Sequence, residues 1–413
     1  MHNHAVTSEL LTVTQARRRV LDAVEPLAAE SVAIDAALDR ALAQDLRAAH
    51  DVPPFSSAAM DGYAVVAGPA GRTLHVVGES RAGVPSERAI EAHEAIRTST
   101  GAALPAGANA VIRQEQVDAD GDHVTLRAAV ADADDVRHRG EDLAAGSLVL
   151  ARGTRIGVPE LAGAVAAGAS SLSCAVRPRV AILCTGTELR APGEPLGPGE
   201  IHNANAVTLR ALASRSGAVA TRPLRLVDDR SAIEAALARA LEEADVIVVT
   251  GGVSVGPHDH VKPALAACGV RQTFWGIAIQ PGKPTWFGAL ARPDDTDARS
   301  RLVFGLPGTP VAAFVSFSLF VVPALLALQG VIPDPGAAPV AELGAAVERN
   351  PIREQAITVR LERMGARTVA LPNGPQGANL ISSLLGAQAL VLIPAGTGVV
   401  AAGELVPLWA LPA

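Results

Sequence analysis

Lysine is almost absent from this chain: of its 413 residues only Lys262 and Lys283 are lysines, and arginine serves everywhere else as the cation. There is no basic excess either. Asp and Glu number 42 against 35 Lys and Arg, for a formal net charge of −7 and a pI near 5.8. A nucleic-acid surface ordinarily needs a basic excess or a clustered basic stripe, so none is expected, and any anionic ligand has to be held by local groups. Cysteine is scarce as well. Cys174, Cys184 and Cys268 are widely spaced with no CxxC pair, which argues against a disulfide framework and against a zinc site. They read as small buried hydrophobes. The N-terminal text "MHNHAVTSELLTVTQARRRV" lacks an apolar run followed by a small-residue cleavage site, so no signal peptide is expected. One uncharged stretch, Pro310 to Leu328, approaches membrane length. Pro323, the preceding "GLPGTP" turn and the lack of a second span or flanking basic cluster suit a helix buried between layers instead. No membrane partner and a cytoplasmic location are expected.

What is present divides by periodicity. The length leaves room for two to four domains of about 100–200 residues. From Thr14 to about Leu46, "TQARRRVLDAVEPL" and "IDAALDRALAQDL" recur at helical spacing, with Thr14 available as an N-cap. Short β-type runs separated by Gly, Pro and Asp follow from Tyr63 to about Val130. A helix and a strand are expected within Gly157 to Val176. The text then alternates regularly: "RVAILCTG", "ANAVTLRALASRSG", "AVATRPLRLV", "RSAIEAALARALEEA", "DVIVVTGG" and "HVKPALAACG" predict a parallel, doubly wound sheet. From Val331 onward, alternation and turns predict a small β-barrel or sandwich.

In a doubly wound sheet, ligands sit beyond the carboxyl ends of the strands. Three such ends carry polar and glycine text: "CTGTEL" with Thr185, Gly186 and Glu188, "TGGVSVGPHDH" with Gly251, Gly252, Ser254, Gly256 and Asp259, and "GLPGTPVA" with Pro307 and Gly308. Each glycine alone serves equally well as a turn residue. Together they would surround one crevice with backbone N–H groups, a site for phosphate or another oxyanion. Lys283, in the turn "PGKPTWFG", supplies a compact cation for such an anion. Glu188, Asp228, Asp229 and Asp259 would repel the anion unless a cation lay between, and Mg²⁺ with oxygen ligands resolves the conflict. Asp228 reads equally as the N-cap of the following helix. His258 and His260 are weak evidence for a transition metal. In the N-terminal half, Asp61 before Gly62, Thr100 before Gly101, and Glu141 and Asp142 after Gly140 are polar groups at turns.

Seven stretches, "PPFSSAAMDGYAV", "TGAALPAGANAVIRQE", "RGEDL", "VRPRVAILCTGTEL", "TGGVSVGPHD", "PGKPTWFG" and "GLPGTPVAAF", occur in an order that resembles the molybdopterin molybdenumtransferase family, the bacterial MoeA type to which the gephyrin E domain belongs. The resemblance covers nearly the whole chain. It implies a multidomain α/β plus β fold: residues 1–50 and 143–177 as a mixed helical linker domain, 51–142 as an inserted β module, 178–330 as the α/β molybdopterin-binding domain and 331–413 as a C-terminal β-barrel. It also implies a homodimer whose cleft lies between the α/β domain of one subunit and the β module of the other.

The activity implied is insertion of molybdate into adenylylated molybdopterin, with Mg²⁺-dependent release of AMP. A molybdopterin adenylyltransferase would act upstream, and acceptor molybdoenzymes or chaperones downstream. By position, Asp61, Thr100, Asp142, Glu188, Asp228, Asp259 and Lys283 match the functional pattern, Glu188 and Asp259 as the metal ligands. Gln280 and Pro310 join the ligand-binding set. The chain departs from the family at Ser57-Ala58, Thr187, Gln280 and Thr309, where Asn-Ser, Asp, Lys and Asn are usual. A missing cation at position 280 weakens an oxyanion site. A binding paralogue with little turnover therefore stands beside the active transferase. A nucleotide-processing enzyme sharing only the α/β domain would leave "MDGYAV" and "RGEDL" unexplained.

Overall fold

The computed structural model describes residues 10–254, 259–291, 299–331 and 339–411. The chain divides into two compact units, one made of Met1–Glu30, Asp39–Ala43 and Cys174–Ala413, the other of Ser31–Leu38 and Gln44–Ser173.

The first unit contains a seven-stranded sheet. Arg179–Thr185 pairs in parallel with Val246–Thr250 on one side and with the short strands Val219–Ala220 and Leu224–Leu226 on the other, and Arg301–Leu306 continues the parallel set. Two further strands, Trp286–Leu290 and Arg271–Trp275, are antiparallel, so the sheet is mixed rather than wholly parallel. Consecutive residues of the central strands enter different cores. Val180, Ile182 and Cys184 pack on one face with Leu209 and Leu212, whereas Ala181 and Leu183 pack on the other with Ile233 and Leu237. Burial on both faces explains why these strands read as unbroken apolar runs. The stretch Pro310–Leu328 is helical and long and apolar enough to cross a membrane, but 83% of its most apolar window is buried inside the protein. It is apolar all round because layers cover it on every side. A π-type turn over Phe317–Val321 precedes Pro323, relieving the clash its ring would make with the carbonyl four residues back.

At the C-terminus, Glu354–Met364, Arg367–Pro372, Val340–Leu343, Leu405–Ala410 and Ala389–Ile393 pair in that order, and the last pairs with the first. They close a five-stranded barrel around Leu343, Ile357, Val359 and Val391. Ile279–Gln280 adds to Glu354–Met364 in parallel, joining the α/β layer to the barrel.

Two helical expectations near the N-terminus are corrected. The first helix spans Val13–Leu21, and its cap is Thr12, not Thr14: Thr12 and Gln15 form a reciprocal capping box. The text from Ile34 to Leu46 forms only a 3₁₀ turn, Ile34–Ala36, and a two-residue strand, Leu46–Arg47. Asp39 adopts φ 62°, which no helix tolerates, and Leu42 bridges to Cys174. Tertiary pairing overrides the helical spacing.

The second unit is built on a six-stranded sheet in the order Ala110–Arg113, Gly62–Val65, Glu94–Thr98, Thr73–Ser80, His123–Leu126, Val117–Asp120. Val65, Leu74, Ile112, Val124 and Leu126 form its core. A Cβ at Gly62 would collide with the Ile112 carbonyl, so the close approach of these two strands requires glycine.

Candidate functional site

The carboxyl ends of the parallel strands open into a cavity of about 590 Å³. Thr185, Gly186, Glu188, Asp228, Gly251, Gly252, Ser254, Asp259, Pro307, Gly308 and Pro310 all line it. Gly256 lies outside the described residues.

The floor is a glycine cradle. Gly251 and Gly252 have φ of 92° and 64°, conformations that side chains other than glycine rarely adopt. A Cβ on Gly251 would stand 2.6 Å from the Thr185 carbonyl oxygen and 2.7 Å from its hydroxyl. Thr185 is 6% exposed, and its Oγ1 has no hydrogen-bond partner among the described residues. A buried hydroxyl without a partner costs about 1–3 kcal/mol, which a ligand acceptor would recover. The backbone donors are fewer than the glycine count suggests. The N–H groups of Gly186 and Gly251 already donate to Leu226 and Leu306, and those of Val311 and Ala312 to the Ala378 carbonyl. Pro310 has none. Those of Gly252 and Gly308 donate to no other described group.

Carboxylates form the rim. Asp228 accepts from the Thr187 N–H at 3.2 Å and from its hydroxyl at 3.3 Å. Asp228 is not the helix cap: Asp229 caps Arg230–Glu243 by accepting from the Ala232 N–H at 2.8 Å. The Ser231 hydroxyl first, then that N–H, hold the Asp229 carboxyl below the usual range. Glu188 is exposed, with its carboxylate folded back against Gly186.

Gln280 and Lys283 line a second cavity of about 720 Å³ between the α/β layer and the barrel. The two cavities share Pro284, Pro307 and Thr309. Arg353 also lines the second, and its Nε is buried without a partner among the described residues. The Gln280 Oε1 accepts from Asn350 Nδ2 at 2.7 Å. The other lysine, Lys262, lies 4.6 Å above the Trp275 ring.

Asp61, Thr100 and Asp142 belong to the second unit. Asp61 Oδ1 accepts from the Thr100 N–H at 2.7 Å and from the Thr100 hydroxyl at 2.9 Å. These two bonds, the backbone one first, hold the Asp61 carboxyl below its ordinary range. Asp142 is an exposed turn residue whose N–H donates to the Val52 carbonyl.

Sequence reasoning missed several lining residues. Asn203 caps the helix Ala204–Arg215, and Asn205 and Thr250 are buried behind the cradle. A signal for Asn205 existed: it shares the buried helical face of Leu209 and Leu212. An asparagine on an apolar face needs partners. Glu348, Gln355 and Gln376 in the second cavity, and Asn379 in the first, carried no local signal.

Comparison with known proteins agrees with this architecture. Residues 11–168 match the MoeA N-terminal region (domain I and II), 181–327 a probable molybdopterin binding domain, and 340–411 the MoeA C-terminal region (domain IV). The molybdopterin molybdenumtransferase of Haemophilus influenzae is 32% identical over 409 residues, 97% of this chain and 98% of that protein. Molybdopterin molybdenumtransferase 2 of Mycobacterium tuberculosis is 33% identical over 382 residues, 90% and 92%. A crystal structure of the molybdopterin biosynthesis MoeA protein from Pyrococcus horikoshii superposes with a TM-score of 0.81 at 29% identity, covering 97% of this chain and 99% of that one. These relatives define a class of transferase acting in molybdenum cofactor biosynthesis. The chain belongs to the MoeA family of molybdopterin molybdenumtransferases.

Proposed function

We propose that this chain inserts molybdate into adenylylated molybdopterin with release of AMP. The observation that carries the reading is the buried Thr185 hydroxyl, unpartnered among the described residues, beside Gly251 and Gly252, in a cavity also lined by Glu188, Asp228 and Asp259. A hydroxyl and N–H groups that no other described residue engages favour a ligand rich in acceptors, such as a phosphate. Carboxylates at the same place favour a cation next to it. Mg²⁺ fits this donor set, because it is ordinarily bound by one or two carboxylates plus phosphate oxygens and water rather than by an all-protein cage. No group of three or more His, Cys, Asp or Glu among the described residues is arranged as such a cage. Glu188 and Asp259 would hold the ion, which would neutralise charge at the phosphoanhydride.

The chain's own residues do the rest. Thr185 and the Gly252 and Gly308 N–H groups bind the terminal phosphate of the pterin. Asp228, oriented by Thr187, accepts a proton from the water that attacks the anhydride, whose P–O bond breaks to free AMP. Lys283 and Arg353 take the molybdate oxyanion in the adjoining cavity, so the two substrates lie side by side. The working form is proposed to be a homodimer in which a second copy contributes Asp61 and Thr100, a part of the reading that rests on the family resemblance. A monomer in light scattering at micromolar concentration would overturn that part.

One observation favours the carrier reading, a binding paralogue with little turnover: Gln280 is uncharged and tied to Asn350, leaving Lys283 and Arg353 as the cations lining the second cavity. Purified protein with adenylylated molybdopterin, Mg²⁺ and molybdate separates the two. AMP release stimulated by molybdate is expected. Tight binding without release would establish the carrier, and failure to bind would refute both.

A further inference from the structure

We infer that Asn205 and Thr250 form a buried latch that sets the spacing of the two glycine loops, making Asn205 a positioning residue for the phosphate-bearing ligand. The inference rests on the proposed reading of the first cavity. Asn205 and Thr250 are 8% and 2% exposed. The Asn205 amide nitrogen donates to Thr250 Oγ1 at 2.9 Å and to the Gly308 carbonyl at 2.8 Å. Thr250 Oγ1 passes its own proton on, donating to the Pro307 carbonyl at 2.8 Å. One side chain from the first turn of the helix Ala204–Arg215 thereby ties the end of Val246–Thr250 to the loop after Arg301–Leu306.

The loops it joins are those of the cradle. A Cβ on Gly308 would stand 3.5 Å from the Gly251 Cα, and the Gly251 N–H donates to the Leu306 carbonyl at 3.1 Å. Thr185 and Thr250 stand at the ends of adjacent paired strands, yet Thr250 spends its hydroxyl twice on the protein while the Thr185 hydroxyl has no partner among the described residues. Thr250 therefore holds the loops, and Thr185 faces the ligand. The hydrogen-bond direction requires a donor at position 205, since both of its partners there are acceptors, and the Asn205 amide supplies it. Aspartate has the same shape but, when ionised, would set a third acceptor against them.

Two measurements test the latch. In the ligand-free protein, Asn205→Ala and Thr250→Val should speed hydrogen exchange of the Gly251 amide by about 10-fold or more, with the sheet of the second unit unchanged and Thr250→Ser close to wild type. In turnover, Thr250→Val and Asn205→Asp should raise KM for adenylylated molybdopterin by about 10-fold with kcat held within about 3-fold, because the latch fixes binding geometry rather than a reacting group. Unchanged exchange in both Asn205→Ala and Thr250→Val, or a fall in kcat at constant KM, would overturn it. If Asn205→Ala does not fold, the Thr250 pair of variants decides alone. If the wild type releases no AMP, the proposed function fails while the exchange measurement still judges the latch.

Discussion

The two cavities meet at Pro284, Pro307 and Thr309 but are made of different material. The first lies at the carboxyl ends of the parallel strands: glycine backbone, a threonine hydroxyl with no partner among the described residues, and carboxylates, nearly all within residues 185–310. The second collects side chains from the loop at 280–284 and from barrel residues at 345–378, and its cations are Lys283 and Arg353. A sheet places backbone donors with no side chain to order, so its fit depends on sterics. A junction between layers holds long charged side chains, and its fit depends on charge. Binding in the first cavity should therefore fail when atoms are added, and in the second when charge is removed.

The largest effect expected is at Gly251. Gly251→Val puts a branched side chain at φ 92° against the Thr185 carbonyl. Strain of about 1–3 kcal/mol should appear in urea unfolding. Ligand binding, measured by calorimetry, should disappear at any practical concentration. Wild-type affinity in this variant would show that the cradle is not the phosphate site. Next comes Asp259→Asn, which keeps the shape of the side chain and removes its charge. Binding should survive while AMP release falls by about 10²-fold, as for loss of transition-state charge stabilisation. Equal losses of binding and release would mean that Asp259 serves the cradle rather than the chemistry.

Smaller effects are expected across the shared wall. Lys283→Met and Arg353→Met should each raise the molybdate concentration giving half-maximal AMP release by about 10-fold, near 1.4 kcal/mol apiece. Pterin binding should hardly change. If either variant weakens pterin binding as much as molybdate dependence, the two cavities form one site and the contrast between them collapses.

The same contrast explains what could be read in advance. Central strands such as Val246–Thr250 announce themselves because burial on both faces leaves an unbroken apolar run, and glycines directly after such a run mark a loop at the sheet's ligand-binding end. The cradle of the first cavity is thus written in local text, while Asn379 on its wall is not. Nor is Arg353: nothing in "NPIREQ" separates an arginine lining a cavity from the chain's many solvated ones, since Gln280 and Lys283, which line the same cavity, lie some 70 residues away. Glycine also misleads about donors, because Gly186 and Gly251 spend their N–H groups on neighbouring strand ends. The stretch from Ile34 to Leu46 misleads in the opposite way. Its alanines and leucines are spaced for a helix, yet Asp39 turns the chain and Leu42 bridges to Cys174. Helical spacing reports which residues want burial, and the rest of the fold decides by which backbone path they get it.

The smallest effect on stability should also be the most diagnostic, because stability and binding ought to move differently. Thr185→Val replaces the buried, unpartnered hydroxyl with a methyl of nearly the same size. In most buried threonines that exchange breaks a hydrogen bond and strands the partner. Here no partner is stranded among the described residues, and the protein no longer buries a polar group at a cost of about 1–3 kcal/mol. Thermal unfolding of the ligand-free variant should therefore occur at the wild-type temperature or slightly above it. Binding should weaken by about 10-fold, the worth of one hydrogen bond to a charged acceptor. Lys283→Met should leave this difference intact, since its charge serves the other cavity. A stability loss equal to the binding loss would show that Thr185 is an ordinary packing residue, and the cradle would lose the donor that distinguishes it from a glycine turn.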